Sequence, residues 1–229
     1  MKKKLLQKVT LEDKQKKWFF SLDGKPLFQR REKSLFLVLE GLDGSGQTTQ
    51  SNLLKEYLEK KGRRVLLTKE PTLITKTGRE IRRILEKEKI VNAAKLQALF
   101  AEDRKEHLKK EIIPALKSNK VVISDRYFLS SLAYGTASGV DLEYLILLNK
   151  EFLQPDLTFL LKVSPRICIE RIKKRGEKET LFEEEDRLKK IWQQYKVLTK
   201  KFNDIIIING EKSIKEVAKD IKKVLNQYL

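Results

Sequence analysis

From Leu35 onward, short apolar runs alternate with longer stretches of helical period. The runs at Leu35 to Leu39, Val65 to Leu67, Val121 to Ile123, Leu157 to Val163 and Ile205 to Ile208 are mostly β-branched or Leu, bounded by Gly, Pro, Asp or charged residues. Continuous apolarity over so few residues predicts strands buried on both faces, the pattern of a parallel sheet. The stretches between them have recognisable helix starts. Asn92 precedes a long apolar-periodic run, Asp141 precedes Leu142-Glu143-Tyr144-Leu145, Ser164-Pro165 reads as N-cap and first-turn proline, and Ser213 with Glu216 makes a capping box. Five strands with helices between them predict a doubly wound five-stranded parallel sheet in an α/β domain.

Residues 1–33 follow a different pattern. Trp18-Phe19-Phe20 and Leu27-Phe28 flank an Asp23-Gly24 turn signal, which predicts a hairpin, with Pro26 confining its second arm to an edge. This divides the chain into an N-terminal extension, 1–33, and a main domain, 34–229. The extension holds eleven Lys or Arg against four acids, a large part of a net charge of +18 over 229 residues. Such an excess favours polyanionic ligands: nucleotides, nucleic acid or acidic membrane surfaces. Interleaved Lys and aromatic side chains could serve a nucleic-acid or acidic-partner module, although such aromatics more often pack against their own domain.

The lone Cys168 cannot form an internal disulfide, and His107 is the single histidine, so no zinc-ligand cluster exists in the sequence. No apolar stretch approaches the roughly 20 residues of a spanning helix, and the opening Met1-Lys2-Lys3-Lys4-Leu5-Leu6 does not run into an apolar signal segment. We expect a cytoplasmic chain, neither exported nor embedded. The charged fraction of 36%, poor in His, Cys and Met, suits a heat-adapted protein, and an AT-rich genome would give the same bias.

The first apolar run leads into Glu40-Gly41-Leu42-Asp43-Gly44-Ser45-Gly46-Gln47-Thr48-Thr49-Gln50, after which helical periodicity begins. Strand, glycine loop, helix is the context of a phosphate-binding P-loop: glycines turn backbone N–H groups toward one point, the helix N-terminus adds positive potential, and Thr48 can ligate a magnesium ion. The plainer alternative is an ordinary glycine-rich turn. One position breaks the pattern, because Gln47 stands where the motif demands a lysine. A neutral amide supplies hydrogen bonds but no point charge, and losing one preorganised donor can cost on the order of 10² to 10³ in rate.

The residues around this loop resemble thymidylate kinases in order and spacing. The motifs are Glu40 to Gln50, then Glu70-Pro71, then Leu99-Phe100-Ala101-Glu102-Asp103-Arg104, then Ser124-Asp125-Arg126-Tyr127 with Ser130-Ser131-Leu132-Ala133-Tyr134. The resemblance covers residues 35 to about 229. It implies a P-loop NTPase-type fold and magnesium-dependent phosphoryl transfer from ATP to thymidine monophosphate (dTMP), giving dTDP on the route to dTTP, by a homodimer. It implies ATP contacts at Gly41, Asp43, Gly44, Ser45, Gly46, Gln47, Thr48 and Thr49, with Mg2+ at Thr48 and Asp125.

On the acceptor side the resemblance places Phe100 against the thymine face, Arg104 at its carbonyl edge, and Ser131 and Tyr134 along the sugar and base. Arg126 would hold the acceptor phosphate and Asp43 would lie near the 3′-hydroxyl. Pro71 and Arg82 complete that side, although Thr72-Leu73 replaces the usual glycine pair after Glu-Pro. Some family members carry Asn where Ser131 stands. Glu170 to Gly176, followed by the acidic run Glu183 to Asp186, resembles a lid whose arginines, here Arg171 and Arg175, supply cationic stabilisation in place of the absent lysine. Plainer readings remain beside these: a core Phe next to a surface Arg for Phe100 and Arg104, a structural salt bridge for Asp125 and Arg126, a solvated helix face for the lid charges. Two further functions stay open, a nucleotide-binding protein with catalysis weakened by Gln47, and a kinase-like body carrying a nucleic-acid-binding extension. A GTPase is disfavoured, since Asn149-Lys150-Glu151-Phe152 lacks the aspartate of the base-reading motif.

Overall fold

The computed structural model describes residues 18–29, 31–176 and 184–229. Its centre is a parallel sheet of β3 (Leu35–Gly41), β4 (Val65–Lys69), β5 (Val121–Asp125), β6 (Leu157–Lys162) and β7 (Ile205–Asn209), in the order β4-β5-β3-β6-β7. Side-chain alternation splits each strand between two cores. Phe36, Val38, Val122 and Leu160 face one side; Leu37, Leu39, Ile123, Phe159 and Leu161 face the other. The second face is covered by α1 (Gln47–Lys60) and α9 (Ile214–Leu225) through Leu54, Leu58, Val217, Ile221 and Leu225. Leu54 and Leu58 lie four apart and fully buried, so truncating either to Ala should cost about 2–5 kcal/mol.

The first face carries the larger helical layer: α2 (Lys76–Leu85), α3 (Ala93–His107), α4 (Ile113–Lys117), α5 (Phe128–Ala137), α6 (Leu142–Asn149), α7 (Pro165–Arg175) and α8 (Glu185–Lys201). A π-helical turn, Leu108–Ile112, joins α3 to α4. Asn92 and Asp141 cap α3 and α6, accepting from Lys95 N and Tyr144 N, and Ser213 with Glu216 closes the capping box of α9. Ser164 precedes α7 without a side-chain cap bond, leaving Pro165 to open that helix. Four strands run past their apolar cores into polar residues: Glu40-Gly41, Thr68-Lys69, Ser124-Asp125 and Asn209. Backbone pairing carries them on, as Leu39 and Lys69 both register with Asp125. Because β3 lies between β5 and β6, the order in which strands are added reverses there, and the ends of β3 and β5 open a crevice.

Ahead of the sheet, β1 (Trp18–Phe20) and β2 (Pro26–Gln29) pair antiparallel about Gly24, whose φ is 83°. The hairpin docks on the segment after α6: Leu22 N donates to Phe152 O at 3.0 Å and Gln154 N to Phe20 O at 2.8 Å, while Phe19 is buried against Phe28. The basic run 1–17, the Trp18 and Arg175 side chains, and Glu183 of the acidic run lie outside the described residues.

Candidate active site

The crevice has two halves. On the first, the chain leaves β3 at Gly41, loops to Gly46 and enters α1 at Gln47. A Cβ at Gly44, where φ is 81°, would lie 2.6 Å from the Cys168 carbonyl oxygen, so glycine lets the loop press onto α7. Cys168 itself is buried, and desolvation pushes its thiol up to about 12. No side chain caps α1, which leaves its first N–H groups available to an anion. At the mouth of the loop, Thr48 Oγ1 donates to Asp125 Oδ2 at 2.5 Å, tying α1 to the end of β5. Thr49, next in the helix, is exposed.

Gln47 is buried, and both ends of its amide are used inside the loop. Nε2 donates to Gly41 O and Oε1 accepts from Ser45 Oγ, each at 2.9 Å. Arg171 of α7 comes from outside: Nη2 donates to Gly210 O at 3.1 Å and Nη1 reaches Ser45 O at 3.5 Å. A guanidinium therefore rests on the rim of the glycine loop.

Arg126 follows β5 with φ 73°, a backbone region that costs a non-glycine residue on the order of 1–3 kcal/mol. Its main chain is pinned there by Arg126 N to Leu39 O at 2.9 Å and Ser124 Oγ to Arg126 O at 2.7 Å. The guanidinium then reaches Asp43 Oδ1 at 2.7 Å, Ser130 Oγ at 2.9 Å and Gly41 O at 3.0 Å, over the Tyr134 ring. Burial opposes its charge, but its electrostatic partners, with the Asp43 carboxylate in direct contact, outweigh that and hold its pKa well above the ordinary arginine value. Tyr134 donates to Asp43 Oδ2 at 2.9 Å, and burial keeps it a neutral phenol.

Behind them, the buried Glu40 accepts from Tyr127 N at 2.9 Å, Ser130 N at 3.1 Å, Ser130 Oγ at 2.6 Å and Tyr195 Oη at 2.9 Å. A carboxylate at the N-terminus of α5 complements the helix dipole and fixes the helix that carries Ser131 and Tyr134. Desolvation nevertheless raises the Glu40 pKa, against the opposing pull of Arg126.

The second half is a cavity of about 870 Å³. Asp43, Pro71, Arg82, Phe100, Arg104, Arg126, Ser131 and Tyr134 all line it. Arg104 is 1% exposed and held from three directions: Nε to Glu70 Oε2 at 2.8 Å, Nη1 to Asn149 Oδ1 at 2.5 Å, Nη2 to Ser131 Oγ at 3.0 Å. Tyr127 lies under the guanidinium, 5.2 Å from ring centroid to Cζ. His107 is fully buried between Glu70 Oε1, 3.2 Å from Nδ1, and Thr68 Oγ1, 2.7 Å from Nε2. Asp103 accepts from Thr72 N at 2.8 Å, Thr72 Oγ1 at 2.7 Å and the Thr75 hydroxyl, so α3 organises the loop that follows Pro71. Arg82 stands on the rim, half exposed and paired with Glu86 at 2.5 Å.

A thymidylate kinase family model matches residues 39–221, which include both halves of this crevice. The chain belongs to the thymidylate kinase family. It is 43% identical over 202 residues to a probable thymidylate kinase of Pyrococcus horikoshii, covering 86% of this chain and 98% of that protein. It is also 37% identical over 207 residues to a thymidylate kinase of Caldicellulosiruptor saccharolyticus, at 86% and 98% coverage. A probable thymidylate kinase of Methanocaldococcus jannaschii matches at 37% over 188 residues, 82% of this chain and 94% of that one.

Several residues that build this thymidylate kinase cavity carry no motif signal of their own. Asn149 and Tyr195 act through partners 45 and 155 positions away. Gln97 could have been found by spacing, since it precedes Phe100 and Arg104 by three and seven residues on α3 and so shares their face.

Proposed function

We propose that this thymidylate kinase family member transfers the terminal phosphoryl group of ATP to dTMP, yielding dTDP, as a cytoplasmic homodimer. The observation that carries this reading is the cavity in which Phe100, Arg104, Ser131 and Tyr134 stand beside Asp43 and Arg126, opening next to an uncapped α1 and its glycine loop. The loop amides between Gly41 and Thr49, with Asp43 and Gln47, take the ATP phosphates. Phe100 stacks on the base and the Arg104 fork reads its carbonyl edge, its position set by Glu70 and Asn149. Tyr134 crowds the place a ribose 2′-hydroxyl would occupy. Arg126 and Arg82 hold the acceptor phosphate, Pro71 bounds that side, and Asp43 orients the 3′-side of the sugar. Because phosphoryl transfer depends on positioning and electrostatics, a fixed Arg126 contributes through placement and charge.

The residues present suit Mg2+. Thr48 and Asp125 offer hard oxygen donors 2.5 Å apart, and among the described residues no cluster of three His, Cys, Asp or Glu forms a protein cage. An ion that binds through one or two protein oxygens and fills its remaining positions with water and phosphate matches that set. When bound, Mg2+ neutralises charge on the phosphate oxygens. A cytoplasmic setting accords with the described helices, none of which is long and apolar enough to cross a membrane.

A second reading, weakened catalysis, is favoured by one observation: the Gln47 amide is occupied with Gly41 and Ser45. Arg171, on the loop rim, and Arg175, which ends α7, are the cations positioned by sequence to compensate. Coupled ADP-release assays with dTMP on the unaltered chain and on Gln47→Lys separate the readings. Ordinary kinase rates in the unaltered chain remove the weakened one; no turnover in either protein removes the kinase assignment.

A further inference from the structure

We infer that the edge of the sheet remote from the crevice is a docking surface for the phosphate backbone of duplex nucleic acid. The inference stands apart from the proposed function, because it uses none of the crevice residues. The neighbouring parallel strands β3, β5 and β4 all end at the crevice side, so the segments leading into them meet at the opposite edge, roughly 16 Å away along a five-residue strand. Those segments are 31–34, 60–64 and 117–120. Hydrogen bonds stitch them into one surface: Lys33 N donates to Asn119 Oδ1 at 2.8 Å, Arg63 Nη2 to Lys33 O at 2.9 Å, Val121 N to Arg64 O at 2.9 Å, and Arg64 Nη2 to Ser118 O.

Of their thirteen residues, eight are Lys or Arg, one, Glu32, is an acid, and the rest are Gly, Ser or Asn. Among the described residues, no acid pairs with any of the eight. By contrast, Arg82, Lys110 and Arg166 on the helices each hold a glutamate one turn away. Like charges gathered on three adjoining turns repel one another, a cost that a polyanion removes. Lys61 extends the surface toward α9, donating to Asn226 Oδ1 at 3.0 Å and sharing the Tyr57 ring with Lys222, each Nζ 5.0 Å from the centroid. β1 begins at Trp18, opposite Gln29 and close to Arg31, so the sequence 1–17, with seven further lysines, attaches at this edge. Two features select a duplex among polyanions. None of the thirteen residues is apolar, so the surface has nothing to insert into a lipid layer, and none is aromatic, so it offers no platform for unstacked bases. What remains is positive charge and hydrogen-bond donors, which suit a duplex carrying one negative charge per roughly 1.7 Å of axis.

The test is fluorescence anisotropy of the full chain with a mixed-sequence DNA duplex, titrated across about 50 to 200 mM salt. Each phosphate contact adds about 0.9 to the slope of log affinity against log salt, so the unaltered chain should show a slope of about −4 or steeper. The combined change Arg31→Gln, Lys33→Gln, Lys60→Gln and Lys120→Gln should flatten that slope by about 3 and weaken binding about tenfold or more. A control of equal net charge, Lys105→Gln, Lys109→Gln, Lys190→Gln and Lys215→Gln on exposed positions elsewhere, should bind within a factor of about three of the unaltered chain. The first four side chains make no hydrogen bond or ion pair among the described residues, so that variant should melt as the unaltered chain does. Should it melt lower, Lys33→Gln and Lys120→Gln singly should each flatten the slope by about 0.9. Equal weakening by the two fourfold variants, the mark of diffuse attraction by net charge, overturns the inference. So does absence of duplex binding at about 100 mM salt, or tighter binding of phosphatidylserine vesicles or of a single strand under the same conditions.

Discussion

The two halves of the crevice are made of different materials. The half proposed for the phosphoryl donor, hereafter the donor half, is mostly backbone: glycines at unusual φ, an uncapped helix start, and one hydroxyl on one carboxylate. The half proposed for the acceptor is mostly side chains, with Glu70, Asn149 and Ser131 all bonded to Arg104 inside the protein. Backbone sites tolerate a changed side chain at the cost of rate, because the amides remain. Side-chain networks do not, because removing one member strands the others in low dielectric. The donor half should thus respond to substitution in turnover, and the acceptor half in affinity and stability.

The largest expected effect breaks the donor half without touching the other. Asp125→Ala should lower turnover by about 10³-fold, while calorimetry finds dTMP affinity within a factor of about three of the unaltered chain. A parallel loss of dTMP affinity would show that the halves are not separable. Next, Gln47→Lys should raise turnover by roughly 10² to 10³. In that background Arg171→Ala should cost less than it does in the unaltered chain, since the lysine makes the rim cation redundant. Equal costs in both backgrounds would end the compensation idea.

On the acceptor side, Glu70→Leu should remove about 3–5 kcal/mol from urea-unfolding stability by leaving the Arg104 guanidinium buried and unpaired. It should also raise KM for dTMP with little change in KM for ATP. The double change Glu70→Leu with Arg104→Met should recover most of the stability but none of the dTMP affinity. A double variant as unstable as the single one would contradict that account.

The smallest effect concerns pH. The folded pKa of Glu40 is raised, so the native state holds this proton longer than the unfolded chain does. Stability from this group is complete below the unfolded glutamate value and is lost as pH rises through the folded one. Glu40→Gln lacks that loss, so its melting temperature relative to the unaltered chain should improve from pH 4 to pH 8. A difference independent of pH would mean that Glu40 does not titrate in this way.

The same contrast governs what the amino-acid order reveals. The glycine loop is legible because its contacts are local: Gln47 reaches back only six residues to Gly41 and two to Ser45. The strands are legible where they are apolar and fall silent at Thr68-Lys69 and Ser124-Asp125, where the ladder continues on backbone bonds alone. Arg104 is readable as a candidate, but its partners come from three other elements, at separations of 27 to 45 residues, with no spacing rule to announce them. His107 stands out in the sequence only as the single histidine, and it is packed between Glu70 and Thr68, because a residue one turn beyond Arg104 meets the same buried carboxylate.

One carbonyl oxygen joins the two halves. Gly41 O receives Gln47 Nε2 at 2.9 Å, Arg126 Nη1 at 3.0 Å and Tyr195 Oη at 3.3 Å. Three donors compete for two lone pairs, so the longest of them is the weakest. Withdrawing the glutamine amide frees a vertex that the arginine or the phenol can then take more fully. A change at residue 47 is therefore felt, across a single atom, in the hydrogen bonding of the cation on the far side.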